Sequence, residues 1–195
     1  MRFHFVLFSA IVLSGMFYDG VQAGKISQID FVQYRDEQYR FSIHYPRSWT
    51  KVEATHVQTR LKVVSDHGSG GDDLSVVVNA LPNSEKMTPE EFLKLMDAKE
   101  YLGYLQKNVP SAKLIKHGPT SLSNQVAYYF ITDLTHHVLG IEVPMRQIQI
   151  QTVRHGNVYT ITFRTDPGSP PANFTVFELI TAGFVLWPEM PGENN

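Results

Sequence analysis

The sequence predicts an α+β fold in which an antiparallel sheet is sandwiched by helices. Three observations carry the prediction. Alternation of apolar and polar residues, the signature of half-buried strands, recurs along most of the chain, as in Phe41, Ile43 and Tyr45 against Ser42 and His44. Helical spacing occurs in only two stretches, one beginning at Thr88 and one over Asn173–Ala182. Strand-type segments follow one another across short turns instead of alternating with helices, which is the order of an antiparallel sheet. A length of 195 residues, 43% hydrophobic and 18% charged, suits one ordinary globular domain.

Residues 1–23 read as a secretory signal peptide. Arg2 supplies the basic start, and Phe5 to Tyr18 is apolar apart from Ser9, Ser14 and Gly15. Val21 and Ala23 occupy the −3 and −1 positions of a cleavage site following Ala23. The apolar run falls short of the roughly 20 residues that a membrane-spanning helix needs. No later segment is apolar enough to span, so the mature chain is expected to have no transmembrane segment. The expected organisation is a single domain over 24–187 and a disordered tail over 188–195, rich in Pro, Gly and polar residues. A small, exported, cysteine-free chain fits the bacterial periplasm or secretion.

The first strands are Phe31–Tyr34 and Tyr39–Tyr45, flanking the charged turn Arg35-Asp36-Glu37-Gln38, and Pro46 ends the second. Val57–Val64 and Leu74–Leu81 follow, joined by the Gly- and Asp-rich loop 65–73. Thr88 then caps a helix, with Pro89 at its first position and Glu91 completing a capping box. Phe92, Leu95, Met96, Leu102 and Leu105 mark one apolar face of a single continuous helix, stopped by Val109-Pro110. Lys113–Lys116 reads as a short strand closed by Gly118-Pro119, and Gln125–Leu134 as a longer one rich in Tyr, Phe and Ile.

The next two strands specify their own register. Gln147, Gln149 and Gln151 alternate with Ile148 and Ile150, and Thr160, Thr162 and Arg164 alternate with Tyr159, Ile161 and Phe163. A two-residue turn at His155-Gly156 sets Ile150 opposite Ile161 and Gln149 opposite Thr162. A three-residue loop would mix glutamines with aromatics on one face. The last helix, Asn173–Ala182, carries Phe174, Phe177, Leu179 and Ile180, with Gly183 placed to cap it.

Composition also excludes functions. The absence of cysteine removes disulfides, thiolate zinc sites and cysteine nucleophiles. A net charge of −2 argues against a nucleic-acid partner, which requires a basic surface. Hydrolase chemistry lacks its pattern: Gly68-Ser69-Gly70 is not Gly-x-Ser-x-Gly, and no strand-turn-helix surrounds it. The candidate binding surface is the polar face of the hairpin, Gln147, Gln149, Gln151, Thr160, Thr162 and Arg164, whose amides and hydroxyls can pair with a protein or a polar ligand. The same face is also what any half-wet antiparallel sheet presents. The loop Asp66–Asp73 offers carboxylates and carbonyls that suit calcium, without the ligand spacing of an EF-hand. His136 and His137 with Glu142 form a metal site only if the pair lies in a loop, because neighbours on a strand point to opposite faces. A solvated connection between strands is the simpler reading there.

The run Phe41-Ser42-Ile43-His44-Tyr45-Pro46-Arg47-Ser48-Trp49 resembles the opening of the PsbP-like family, an aromatic-x-aliphatic-x-Tyr-Pro run two residues before a Trp. Ser48 stands where Gly is usual. The Thr88–Phe92 helix start, the hairpin leading to Tyr159–Phe163, the Phe-containing last helix and the aromatic ending Phe184–Trp187 are similar too. This family includes the extrinsic oxygen-evolving subunit of photosystem II and bacterial periplasmic relatives such as the DcrB-like proteins. The resemblance implies an α/β/α sandwich and a non-enzymatic binding or assembly protein of the bacterial cell envelope. Its expected partner is an envelope protein or a membrane-associated complex, with no cofactor. The alternatives are a calcium-binding accessory protein of the photosystem II oxygen-evolving complex, or an unrecognised enzyme.

Overall fold

The computed structural model describes residues 29–65, 71–82, 86–169 and 171–188. Residues 1–23, expected to be a signal peptide, loop residues 66–70 and tail residues 189–195 lie outside them. Among the described residues ten strands and three helices follow in the order β1 (Phe31–Asp36), β2 (Phe41–Pro46), β3 (Thr50–Lys51), β4 (Thr59–Val64), β5 (Asp73–Ala80), α1 (Pro89–Lys94), α2 (Ala98–Asn108), β6 (Lys113–Leu122), β7 (Gln125–Val138), β8 (Ile141–Arg154), β9 (Asn157–Thr165), α3 (Pro171–Ala182) and β10 (Val185–Leu186).

Seven strands form one antiparallel sheet in the order β3-β4-β5-β9-β8-β7-β6, and β1-β2-β10 form a second. Alternation along the strands divides the large sheet into two faces. One face carries Val63, Leu74, Val76, Ile150, Ile161 and Phe163, all at most 1% exposed. Phe41 and Ile43 from β2 and Phe177 and Ile180 from α3 complete this core. Trp49 stacks on Phe163 at 6.3 Å, and Phe163 on Phe177 at 5.1 Å, so the Trp joins the sheet to the last helix through one ring. On the opposite face Tyr101 of α2 lies flat on Phe130 of β7, with centroids 3.8 Å apart. The layers are thus small sheet with α3, large sheet, and α1 with α2: the α+β sandwich expected.

The hairpin register is the one the alternation specifies: Ile150 pairs with Ile161, Gln149 with Thr162 and Gln151 with Thr160. His155 and Gly156 both have positive φ, +47° and +72°, as a two-residue turn of matching twist requires. The capping box at Thr88 is also present, with the Glu91 N–H donating to the Thr88 hydroxyl and the Glu91 carboxylate accepting from the Thr88 N–H.

Three elements differ from the sequence expectation. The continuous helix is two helices, because Asp97 turns extended and its carboxylate accepts from the Lys99 and Glu100 N–H groups, starting α2 afresh. Leu95 is consequently exposed, although its spacing suits a helix face. The strand at Lys113 runs through Gly118-Pro119 to Leu122, because β6 is the outermost strand and a Pro at a sheet edge removes no needed hydrogen bond. The strand from Gln125 continues to Val138, so His136 and His137 stand on β7 opposite Val143 and Glu142, not in a loop. Gly183 does follow α3, its N–H donating to the Leu179 carbonyl at 3.1 Å, but its φ is not positive. A Cβ there would lie 3.1 Å from His44 Nδ1, so the close approach of β2 is what demands glycine.

Candidate binding face

The six polar residues of β8 and β9 share the face that α1 and α2 partly cover, and their surroundings differ along it. Gln147 is 4% exposed. Its amide carbonyl accepts from Arg164 Nε at 2.9 Å and its amide nitrogen donates to the Tyr101 hydroxyl at 3.3 Å. Arg164 also lies 3.6 Å from the Asp73 carboxylate on β5. This end of the face is a buried polar cluster, laid down by the pairing of Gln147 with Arg164 and of Asp73 with Arg164 across three neighbouring strands, in which Asp73 Oδ1 meets the Arg164 charge without a hydrogen bond. Burial shapes its protonation. Desolvation raises the Tyr101 hydroxyl above its usual value, which keeps it protonated and neutral. Desolvation also raises the Asp73 carboxyl, with the Arg164 charge opposing it less strongly.

Thr160 and Thr162 are nearly buried, whereas Gln149 and Gln151 are half-buried. Beside these two glutamines β7 contributes Phe130, opposite Gln149, and Tyr128, opposite Gln151. The Tyr128 hydroxyl meets His117 Nδ1 of β6 at 2.7 Å, and the Tyr128 and Phe130 rings are 5.1 Å apart. The accessible part of the face is therefore smaller than the sequence suggests. It is a row of two amides flanked by the half-buried Tyr128 ring and an exposed imidazole, while Phe130 is covered by Tyr101, and none of Gln149, Gln151 or Tyr128 carries a formal charge. Such a row donates and accepts hydrogen bonds beside one tyrosine ring, with no group suited to proton transfer at a reacting atom except His117.

Tyr101, His117, Tyr128 and Phe130 were not singled out from the sequence, and Asp73 only as part of the candidate calcium loop. The last two could have been, since Tyr128 and Phe130 alternate with the core residues Ala127, Tyr129 and Ile131 and so fall on the polar face. Tyr101 and His117 arrive through tertiary packing, for which the chain holds no local signal.

The other candidate sites disperse. His136 and His137 point to opposite sides of β7. Among the described residues no group of three His, Cys, Asp or Glu side chains is placed to hold a metal. At the end of the Gly- and Asp-rich loop, Asp72 accepts from the Asn173 amide at 3.2 Å and Asp73 faces Arg164. Asp133 is engaged by a two-pronged contact from Arg146, at 2.7 Å for each oxygen. Among the described residues no helix is long and apolar enough to cross a membrane.

Comparison with known proteins supplies a family. The PsbP family model matches residues 29–176. No curated protein sequence matches. Among solved structures, the solution structure of cyanobacterial PsbP from Synechocystis sp. PCC 6803 is similar, with a TM-score of 0.62 at 15% identity, covering 86% of this chain and 98% of that one. The Ran-binding protein Mog1p of Saccharomyces cerevisiae has a TM-score of 0.54 at 7% identity, covering 81% and 96%. LpqN of Mycobacterium tuberculosis, involved in cell envelope biogenesis, has a TM-score of 0.50 at 10% identity, covering 83% and 92%. At these identities the likeness is one of fold.

Proposed function

Because the chain belongs to the PsbP family, whose model spans residues 29–176, we propose that it is an exported, non-enzymatic binding or assembly protein of the bacterial cell envelope. The family is one of non-catalytic proteins, and the leader-like residues 1–23 support export to the periplasm or beyond. The contact is placed on the open end of the polar sheet face, and one observation carries that choice. The polar row is sealed at Gln147 by Tyr101 and Arg164 but left accessible at Gln149 and Gln151, next to Tyr128 and His117. Buried amides require partners, and half-exposed ones can exchange water for a partner's backbone or side chains. The partner envisaged is an envelope protein or a membrane-associated complex. A cation at the Gly- and Asp-rich loop has less support, because Asp72 and Asp73 are already engaged with Asn173 and Arg164.

The test is capture of partners by the tagged mature chain from its native envelope extract, with and without a chelator. Capture is compared with that by a Gln149→Ala/Gln151→Ala variant that leaves Arg164 in its network. The expected result is a defined partner, retained with chelator and lost in the variant, whose unfolding transition is unchanged. Equal capture by variant and parent would overturn the placement of the contact. Loss on chelation alone would favour the cation reading.

A further inference from the structure

β7 and β8 run past both of their neighbours in the sheet. The β6 ladder begins at Lys113, opposite Asp133, and the β9 ladder ends at Thr165, opposite Arg146. Beyond that line the chain forms a two-stranded arm, from Leu134 paired with Met145 to Val138 paired with Ile141. The arm turns at Leu139 and Gly140, both with positive φ, +52° and +80°.

Leu139 is anomalous twice over. A residue in the left-handed region is ordinarily Gly, Asn or Asp, and a branched aliphatic there is disfavoured by its own Cβ. The other non-glycine residues with positive φ among those described are Arg40, Ser123, Asn124 and His155, all polar. Leu139 is also 98% exposed, and Ile141 beside it 66%. The side chain therefore neither suits its turn nor packs on its own domain. Both disadvantages are offset only when the tip is covered by something else.

The chemistry of the arm narrows what covers it. Addition of a strand along its sides is obstructed. Pro144 removes an N–H from β8, and on β7 the Thr135 N–H and carbonyl are both taken by the Ser111 hydroxyl, at 2.8 and 3.1 Å. Contact is thus end-on. A bilayer is a poor host, because no Lys or Arg lies between Lys116 and Arg146 to meet anionic headgroups, and Glu142 stands exposed next to the tip. The outer backbone groups of the arm would also go unpaired in hydrocarbon. A protein pocket with an apolar floor and a basic rim complements both the aliphatic pair and Glu142. We propose that the β7–β8 tip is a knob that seats Leu139 and Ile141 in such a pocket on a partner protein, a contact separate from the Gln149–Gln151 face.

The test uses the full chain in the cells that make it, with the photoreactive residue p-benzoylphenylalanine at position 141 and a control probe at His155, the turn at the other end of β8. The expected result is a discrete protein adduct from position 141 and none from position 155, mapping to an apolar peptide bordered by Lys or Arg. Leu139→Asn, which suits the turn, should raise the melting temperature of the purified protein while lowering the position-141 adduct by about tenfold or more. The proposal is overturned by an absent adduct, by an adduct indifferent to Leu139→Asn, or by a fall in melting temperature showing that Leu139 supports its own fold. Leu139-dependent sedimentation with vesicles of phosphatidylcholine or phosphatidylglycerol would likewise overturn it, in favour of lipid.

Discussion

Removal of the Asp36 carboxylate should loosen the small sheet from the large one. Asp36 is 4% exposed at the end of β1. It accepts from Arg60 Nε of β4 at 2.8 Å and from the Tyr39 N–H at 3.0 Å. Tyr34 fastens the same junction, its hydroxyl donating to the Arg60 carbonyl at 2.8 Å. Stripping one partner from a buried ion pair costs about 3–5 kcal/mol, because the other charge is stranded. Arg60 is not wholly stranded here: its side chain is 25% exposed, its guanidinium lies 4.7 Å from the Tyr39 ring centre, and it donates to Gln38 Oε1 at 3.3 Å. Asp36→Ala is therefore expected at the low end, about 3 kcal/mol. Asp36→Asn retains an acceptor for the Tyr39 N–H and is expected to cost about 1–2 kcal/mol. Replacing the pair together, Asp36→Leu with Arg60→Met, should cost less than Asp36→Ala alone, since no charge is left behind. Urea unfolding at low and high salt measures all three, with unchanged slopes showing that midpoint shifts report stability. A cost for Asp36→Ala below about 1 kcal/mol, or one erased by salt, would place the pair among exposed bridges and refute the argument.

Three further expectations follow from other sites. Gly183→Ala should destabilise by about 1–2 kcal/mol in the same assay, because the new methyl meets His44 Nδ1 at 3.1 Å and His44 Cβ at 3.3 Å; a further change of His44→Ala should restore much of the loss. Asp97→Ala should remove the cap that restarts α2 and cost about 1 kcal/mol, with amide exchange quickening at Lys99 and Glu100. The Asp73 carboxyl is raised above 3.8 in the fold, chiefly by burial, so the folded state holds its proton after the unfolded chain has released it. Stability from this group is present at low pH and lost as pH climbs from about 4 through the raised value. Asp73→Asn should thus compare best with the parent at neutral pH and worst near pH 4, and the opposite trend in urea midpoints would show that Arg164 outweighs burial.

What the sequence discloses divides according to whether the signal is local. The β8–β9 register is legible because glutamines and threonines alternate with aliphatic and aromatic residues on both strands, and any odd slip would bury amides among rings. The start of α1 is legible because Thr88, Pro89 and Glu91 satisfy its first turn by themselves. The break at Asp97 is not, since Leu95, Met96 and Leu102 keep helical spacing across it and only the Asp97 carboxylate chooses otherwise. The passage of β6 through Pro119 depends on that strand lying outermost, a property of the assembled sheet. The candidate site divides in the same way. The faces of Gln147, Gln149 and Gln151 follow from alternation, but that Tyr101 would descend on Gln147 while Gln149 and Gln151 stayed accessible depends on where α2 comes to rest. Leu139 passes unnoticed in sequence because the stretch after Leu134 reads as one solvated connection, and only the pairing of His136 and His137 on β7 and the positive φ of Leu139 narrow the turn to Leu139 and Gly140.

The pairing of β10 with β2 has a consequence for the order in which the molecule can form. Val185 and Leu186 close the ladder of Ser42 and Phe41, and the Trp187 indole N–H donates to the Ser42 hydroxyl across 145 residues. During synthesis, Phe41 and Ile43 emerge early and wait for Phe177, Ile180 and Phe184 to cover them. The nascent chain therefore cannot seal its interior until its last strand is free, and contacts of this separation form slowly. Such a polypeptide keeps its largest apolar surface open until residues 184–187 have been made, and a binder of exposed Phe41 and Ile43 has that whole interval in which to act.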